Sequence, residues 1–362
     1  MAQKKNTKIL RVGFIGAGGI ADLQIRTLLK RKDVTIAAIS DVSQVVRDRR
    51  AEELQGIAVY ADYQKMLKSE QLDAVTVCTP NIHHAKPTID ALNSGCHVLV
   101  EKPMCMTLAE GRRMLAVAAK TNRKLIMGFQ YRFDPRTQFL RQAYDAGHFG
   151  NILYGRIQAM RRRGIPNWGV FGRKELQGGG PLIDIGVHVL EMAHYTMGSP
   201  TPISASADMF TYLGNKPSAG IQSAWPGWDH KTYNVEDLAV GRIRFDTGAV
   251  LHVESAFAAH IGEASVMNFQ LMGDKGGATW EPATLFTDEA GHMVDKNPGW
   301  LASTEFDRVF GLKMHSFVDH VLDNKPTIAP AYDGFVVQAM LDAMYRSHER
   351  GGKEVRINVK TQ

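Results

Sequence analysis

Cysteine is scarce in this chain: Cys78, Cys96 and Cys105 are the only ones among 362 residues. An odd, sparse set without CxxC spacing builds no disulfide framework and points to reduced thiols in a cytoplasmic protein. Long apolar runs are lacking too. No stretch of about 18 consecutive apolar residues occurs, which excludes an ordinary membrane-spanning helix. The opening MAQKKNTKILRVGFIGAGGIA imitates a secretion signal, with a basic lead and an apolar run. That run is better read as a first strand entering a glycine turn. Charge of one sign is not concentrated either. A net charge of +6, spread along the chain, favours an anionic ligand but is too diffuse for a nucleic-acid surface. Repeats and low-complexity segments are absent. Neither HExxH nor paired CxxC occurs, so no metal is expected.

What is present is a globular composition, with 44% hydrophobic and 22% charged residues, in a chain long enough for two cores. Up to about residue 130, short apolar runs alternate with helical patterns. Strands are predicted at 9–16, 34–40, 58–60, 73–80, 97–103 and 124–129, with helices at 19–31, 43–54, 62–69, 83–94 and 107–121. Such alternation predicts a doubly wound parallel sheet covered on both faces, an α/β Rossmann domain over 1–130. The remainder, 131–362, predicts an α+β domain with a large, open, mostly antiparallel sheet. Helices at 134–146, 181–197 and 331–348 accompany strand-like runs at 152–163 and from 202 to about 280, broken by Asp-Thr-Gly and Gly-Asp-Lys-Gly-Gly turns.

The hexad GAGGIA, residues 16–21, follows the first strand and opens the first helix. In that setting a G-x-G-x-x-A pattern is a dinucleotide fingerprint. Gly16 permits the tight turn, Gly18 lets a pyrophosphate approach the backbone, and Gly19 and Ile20 begin the helix whose N-terminus meets the phosphate. Asp41 ends the second strand, where a carboxylate accepts hydrogen bonds from the adenosine ribose and repels a 2′-phosphate. NAD is therefore the expected cofactor. Arg47, Arg49 and Arg50 keep NADP open, because an arginine can hold that phosphate.

A second pattern is QGGGPLIDIGVHVLEMAHY, residues 177–195. Asp184, His188 and Glu191 are spaced four and three apart, which puts them on one helical face. Metal site, acid/base pair and solvated polar face are three readings of that stripe. His194 falls off it, which argues against a metal cage.

Together with CTPNIHH (78–84), GCHVLVEKP (95–103) and GFQYRF (128–133), these stretches resemble the glucose–fructose oxidoreductase, inositol 2-dehydrogenase and rhizopine catabolism family (Gfo/Idh/MocA), in the family's order and over most of the chain. The resemblance implies a pyridine-nucleotide dehydrogenase of sugars, inositols or related polyols. It makes Lys102 the lysine beside the nicotinamide, within reach of the substrate oxygen. Glu101 and Pro103 shape its turn, with a cis Lys–Pro bond. It makes Asp184 the family's aspartate and His188 its acid/base histidine, and brings the loop of Thr79, Pro80, Asn81 and His84 to the nicotinamide ribose. Glu191 stands where an aspartate is common, and its role stays open.

These assignments suit the chemistry. Oxidising a secondary alcohol removes a hydride and a proton; histidine suits the proton and a fixed lysine cation suits the developing alkoxide. Arg163, Trp168 and Tyr233, in loop-like settings, are further candidates to contact a sugar, with surface loops or subunit contacts as the bland alternative. The leading expectation is an NAD(H)-dependent oxidoreductase acting on a secondary hydroxyl of a sugar, sugar derivative or cyclic polyol. The alternatives are an NAD-dependent glycosidase or epimerase that oxidises C3 transiently, and a non-enzymatic sensor. A homodimer or homotetramer assembled through the long C-terminal sheet is expected.

Overall fold

A computed structural model describes residues 9–217 and 222–361. The basic lead of the chain, residues 1–8, lies outside the described residues. The first sheet comprises β1 (Leu10–Ile15), β2 (Val34–Ser40), β3 (Ala58–Tyr60), β4 (Ala74–Val77), β5 (His97–Val100) and β6 (Leu125–Met127). Between them run α1 (Gly19–Leu28), α2 (Gln44–Glu53), α3 (Tyr63–Ser69), α4 (Ala85–Asn93) and α5 (Leu108–Thr121). All strand pairs are parallel, in the order β3-β2-β1-β4-β5-β6. This is the expected doubly wound sheet. Its strand order reverses between β1 and β4, so a crevice opens beyond their carboxyl ends, where such sheets bind ligands. The strands read as continuous apolar runs because helices cover both faces: Val12, Phe14, Val75, Val77, Val98 and Leu99 are all fully enclosed.

Helix α6 (Pro135–Asp145) leads into the second sheet. Asp134 caps it, accepting from Arg136 N, and Pro135 sits at its first position, where no N–H is needed. There follow β7 (Ile152–Arg161), the short α7 (Lys174–Gln177), α8 (Val187–Thr196), β8 (Pro202–Phe210), β9 (Leu238–Phe245), β10 (Val250–Ala256) and β11 (Ser265–Gly273). β12 (Gly276–Thr279), β13 (Thr284–Glu289), β14 (His292–Lys296), α9 (Phe306–Asp323), α10 (Ala331–Glu349) and β15 (Val355–Arg356) complete the chain. The nine strands form one sheet, in which only β7 and β10 pair parallel. One face is the core face. Ile157, Val253, Ile243, Phe269 and Leu271 are buried there, and α8 and α10 pack over it. The other face carries Arg156, His252, Gln270, Arg242 and Met272, all exposed.

Two features depart from the sequence reading. Helix α9 was not foreseen; its apolar face is interrupted by Gly311 and Lys313, yet both are buried, against α1 and Glu101. The helix expected at 181–197 begins instead with a π-turn, Leu182–Gly186, before α8. Among the described residues, no helix is long and apolar enough to cross a membrane.

Candidate active site

A cleft of about 940 Å³ runs from the carboxyl ends of β1 and β4 to the start of α8. At one end lies the glycine turn. Gly16 has φ +84°, and a Cβ there would stand 2.7 Å from Cys78 O, so the turn closes on the loop after β4 only with glycine. Gly18 and Gly19 line the cleft with no heavy atom near an added Cβ, which leaves their backbone open to a ligand at the N-terminus of α1; Ile20 lines the same wall. Asp41 braces this turn, accepting from Ala17 N and Ser43 N, both at 2.8 Å. The donor set and the open backbone fit a dinucleotide.

Each of the three arginines that kept NADP open makes local contacts. Arg47 donates to Asp41 O and Val42 O, and Arg49 to Ala17 O. Arg50 is buried, holds Ala17 O and Gly18 O, and pairs with Asp22 and Glu53. Its guanidinium is therefore a strut under the fingerprint turn, a role the sequence did not disclose.

At the middle of the cleft, Lys102 follows β5 at a cis Lys102–Pro103 bond, in agreement with the resemblance. Its Nζ donates to Asp184 Oδ1 at 2.9 Å and Asp184 O at 2.8 Å. Beside this pair stands His188, edge-on to Tyr131 with ring centroids 5.1 Å apart. Its Nδ1 has no hydrogen-bond partner among the described residues. Burial, then the charges of Lys102, Lys313 and Arg161, hold the imidazole well below its ordinary value, so the ring is neutral at neutral pH. Lys102, Asp184 and His188 all line the cleft. A neutral base and a fixed cation next to one carboxylate can take a proton and stabilise an oxyanion. The Cys78 thiol also lines the cleft, but burial pushes it up to about 12, which keeps it protonated.

These shapes have counterparts. The family model for the NAD-binding Rossmann fold of the GFO/IDH/MocA oxidoreductases matches residues 10–129, and that for their C-terminal alpha/beta domain matches 141–357. The chain belongs to the Gfo/Idh/MocA oxidoreductase family. D-glucoside 3-dehydrogenase of Escherichia coli is 39% identical over 94% of this chain and 96% of its own. Myo-inositol 2-dehydrogenase of Thermotoga maritima is 26% identical over 90% and 92%. Levoglucosan dehydrogenase in complex with NADH superposes with a TM-score of 0.83 at 21% identity, over 97% of this chain and 100% of its own. As a member of this family the protein is an oxidoreductase, and its cofactor is NAD.

The Gfo/Idh/MocA loop after β4 is locked rather than open. His84 sits between two carbonyls, Nδ1 2.6 Å from Pro103 O and Nε2 2.8 Å from Thr79 O; its neutral ring has one N–H and donates to one of them, packing this loop against the lysine turn. Asn81 donates to Gln177 O, just before the glycine triplet, and Thr79 to His83 O; with Pro80 they line the cleft. Glu101 is buried and accepts from Gln24 of α1 at 2.7 Å and Lys313 of α9 at 2.5 Å. Gly128 makes room for it, since a Cβ there would meet Glu101 Oε2 at 2.5 Å.

Two expected sugar contacts are corrected. Tyr233 is buried with Trp228 and Val235, donates to Glu236 O, and does not line the cleft; its ring fills a small core under the loop. Arg163 turns to Ala259 O and His260, because β7 ends at Arg161 and the chain bends there. Trp168 is half exposed and does line the cleft mouth.

The stripe divides as well. Glu191 faces away from the cleft into a fully enclosed ion pair with Arg132 at 2.7 Å, and Arg132 also holds Asp333. Burial raises the Glu191 carboxyl to about 7. Breaking such a pair costs about 3–5 kcal/mol because the survivor stays buried and charged. Glu191→Ala is expected to lower unfolding free energy by that order, measured by urea titration, with turnover per folded molecule retained.

The glycine triplet serves close approach. A Cβ on Gly179 would stand 1.9 Å from the Tyr345 hydroxyl, and one on Gly180 would stand 2.4 Å from Glu236 O. The buried Glu236 carboxylate accepts from Gly180 N at 2.9 Å, Leu182 N at 3.2 Å and the Tyr345 hydroxyl at 2.9 Å. It thus satisfies donors at the start of the π-turn that carries Asp184. No local signal marks Glu236; it lies 54 positions from Leu182.

Proposed function

We propose that the protein is an NAD-dependent dehydrogenase of sugars that oxidises a secondary ring hydroxyl, first among them the C3 hydroxyl of a D-glucoside. The observation that carries this reading is the Lys102–Asp184 ion pair beside a neutral His188, in the cleft that also receives the dinucleotide turn. The identity to a D-glucoside 3-dehydrogenase over nearly the whole chain supports the choice of substrate. Bound at the glycine turn and Asp41, NAD supplies the hydride acceptor. His188 takes the hydroxyl proton. Lys102 stabilises the negative charge that gathers on the substrate oxygen, and Asp184 orients the lysine ammonium. A panel of glucosides, free sugars, inositols and sugar acids, assayed for NADH formation with mass spectrometry of products, tests this. Glycoside cleavage without NADH accumulation would favour the redox-neutral alternative and sink the net dehydrogenase.

Asp41 and the engaged arginines also support a preference for NAD over NADP. Calorimetry is expected to show NAD(H) binding at least about tenfold tighter, with Asp41→Ala relaxing the ratio, since a ribose carboxylate and a 2′-phosphate exclude each other. Equal affinities would refute this.

The uncovered sheet face supports self-association. No helix packs over it among the described residues, and Tyr154, Met272 and Phe286 stand there among the Arg156–Glu254 pair and other polar groups, a mixed surface. Light scattering is expected to give a multiple of the 40.1 kDa chain, a dimer or tetramer. A monomer at micromolar concentration would contradict this.

A further inference from the structure

Arg161 is the last residue of β7 and lines the cleft together with Ala159, two positions before it, as strand alternation requires. Its Nη1 donates to Gly164 O at 3.0 Å. The guanidinium lies over the Trp225 ring at 5.0 Å and the Phe257 ring at 5.7 Å. Trp225 in turn meets Trp168 edge-on at 4.9 Å, so the aromatic wall at the cleft mouth also holds the arginine in place.

Arg161 is a part-buried arginine at the cleft wall without a carboxylate partner among the described residues. Arg50, Arg132 and Arg136 each pair with two acids. Arg161 forms no ion pair among the described residues. The nearest acid to influence it is Asp184, whose Oδ1 is already bound by Lys102. Burial lowers the guanidinium's proton affinity, the mark of a cation short of compensation. A guanidinium has five N–H donors in a planar fork, and one is used here. Holding such a group half out of water costs free energy unless a ligand supplies acceptors.

We infer that Arg161 is a specificity-determining residue that grips two vicinal oxygens of the sugar, the one being oxidised and a hydroxyl beside it. The inference rests on the dehydrogenase reading above and deepens it. The fork matches two adjacent oxygens as it matches the two of a carboxylate. Hydroxyls rather than an anion fit this position because Asp184 shares the site. A hydroxyl accepts from Arg161 and still donates to a carboxylate, whereas an anionic group would only repel Asp184.

The test compares methyl β-D-glucoside with its 2-deoxy and 4-deoxy analogues, as kcat/KM, in the wild-type enzyme and in Arg161→Met and Arg161→Lys. The ratio of parent to analogue is taken on one preparation, so the fraction folded cancels. The wild type is expected to reject at least one analogue by about 10–100-fold, the range for a charged hydrogen bond. In Arg161→Met that ratio falls towards one, and Arg161→Lys, with charge but no fork, recovers only part of it. Ratios that are the same in wild type and both variants, or a wild type that accepts both analogues as well as the parent, overturn the inference alone. A wild type that turns over no glucoside overturns the glucoside reading and this inference with it.

Discussion

Replacing His188 with alanine is expected to lower turnover by about 10²–10⁴-fold, the span of general acid–base assistance, while leaving NAD affinity nearly unchanged. His188 lines the cleft beside the Lys102–Asp184 pair. The paired control is His194→Ala. His194 lies six positions further along α8, stacks on Phe245 and contacts Pro200 O through Nε2. Its loss removes packing and a hydrogen bond, so it costs stability and leaves turnover per folded molecule intact. Steady-state rates under saturating NAD and sugar, beside melting temperatures, separate the two. Equal losses, or the larger loss at His194, would mean that the proton carrier is misassigned.

The pH profile supplies a second readout for the same residue. As base, His188 must be neutral to accept the proton, so oxidation rises with pH through the pKa of the free enzyme. Burial and three nearby cations depress that value. The acid limb of kcat/KM is therefore expected below the ordinary imidazole value of about 6.5, with a plateau through neutral pH. His188→Ala removes the limb. A limb at or above that value would contradict the electrostatics described for the cleft.

Lys102→Ala is the other large effect, about 10²–10³-fold in turnover, the loss that follows removal of one fixed donor to a developing oxyanion. Two consequences combine here. The substrate oxygen loses its cation, and Asp184, buried in the π-turn before α8, loses its ion-pair partner. Asp184→Asn is expected to do less harm, because an amide oxygen still accepts from Lys102 and the lysine stays in place. Single-turnover rates with both variants check the order. Asp184→Asn falling below Lys102→Ala would move the oxyanion role away from the lysine.

Much of this was legible in the chain itself, for reasons of distance along it. The fingerprint turn, Asp41, the EKP lysine and the Asp184/His188 spacing are short patterns that can be read from a few neighbouring residues. What escaped were partners brought in from far away. Glu236 under the glycine triplet, Lys313 on Glu101, and Arg50 beneath the fingerprint turn all act through contacts that topology alone creates. The π-turn escaped for a related reason. The carboxylate and tyrosine packed against Gly179 and Gly180 just before it come from Glu236 and Tyr345, far along the chain. Arg163 looked like a sugar contact because three arginines in a row carry no sign of where the strand ends; β7 ends at Arg161. Tyr233 looked like a sugar-binding aromatic, yet it lies in a polar stretch that folds over its own small core.

One cleft is expected to remove a proton from the hydroxyl and a hydride from the carbon of the same secondary alcohol. Methyl β-D-glucoside deuterated at C3, incubated with the enzyme and NAD, tests it directly. The account requires a 3-keto glucoside and an equal amount of NADH carrying the deuterium, with both absent in His188→Ala on the same timescale. Turnover that leaves deuterium on the sugar, or NADH formed without the label, would contradict it.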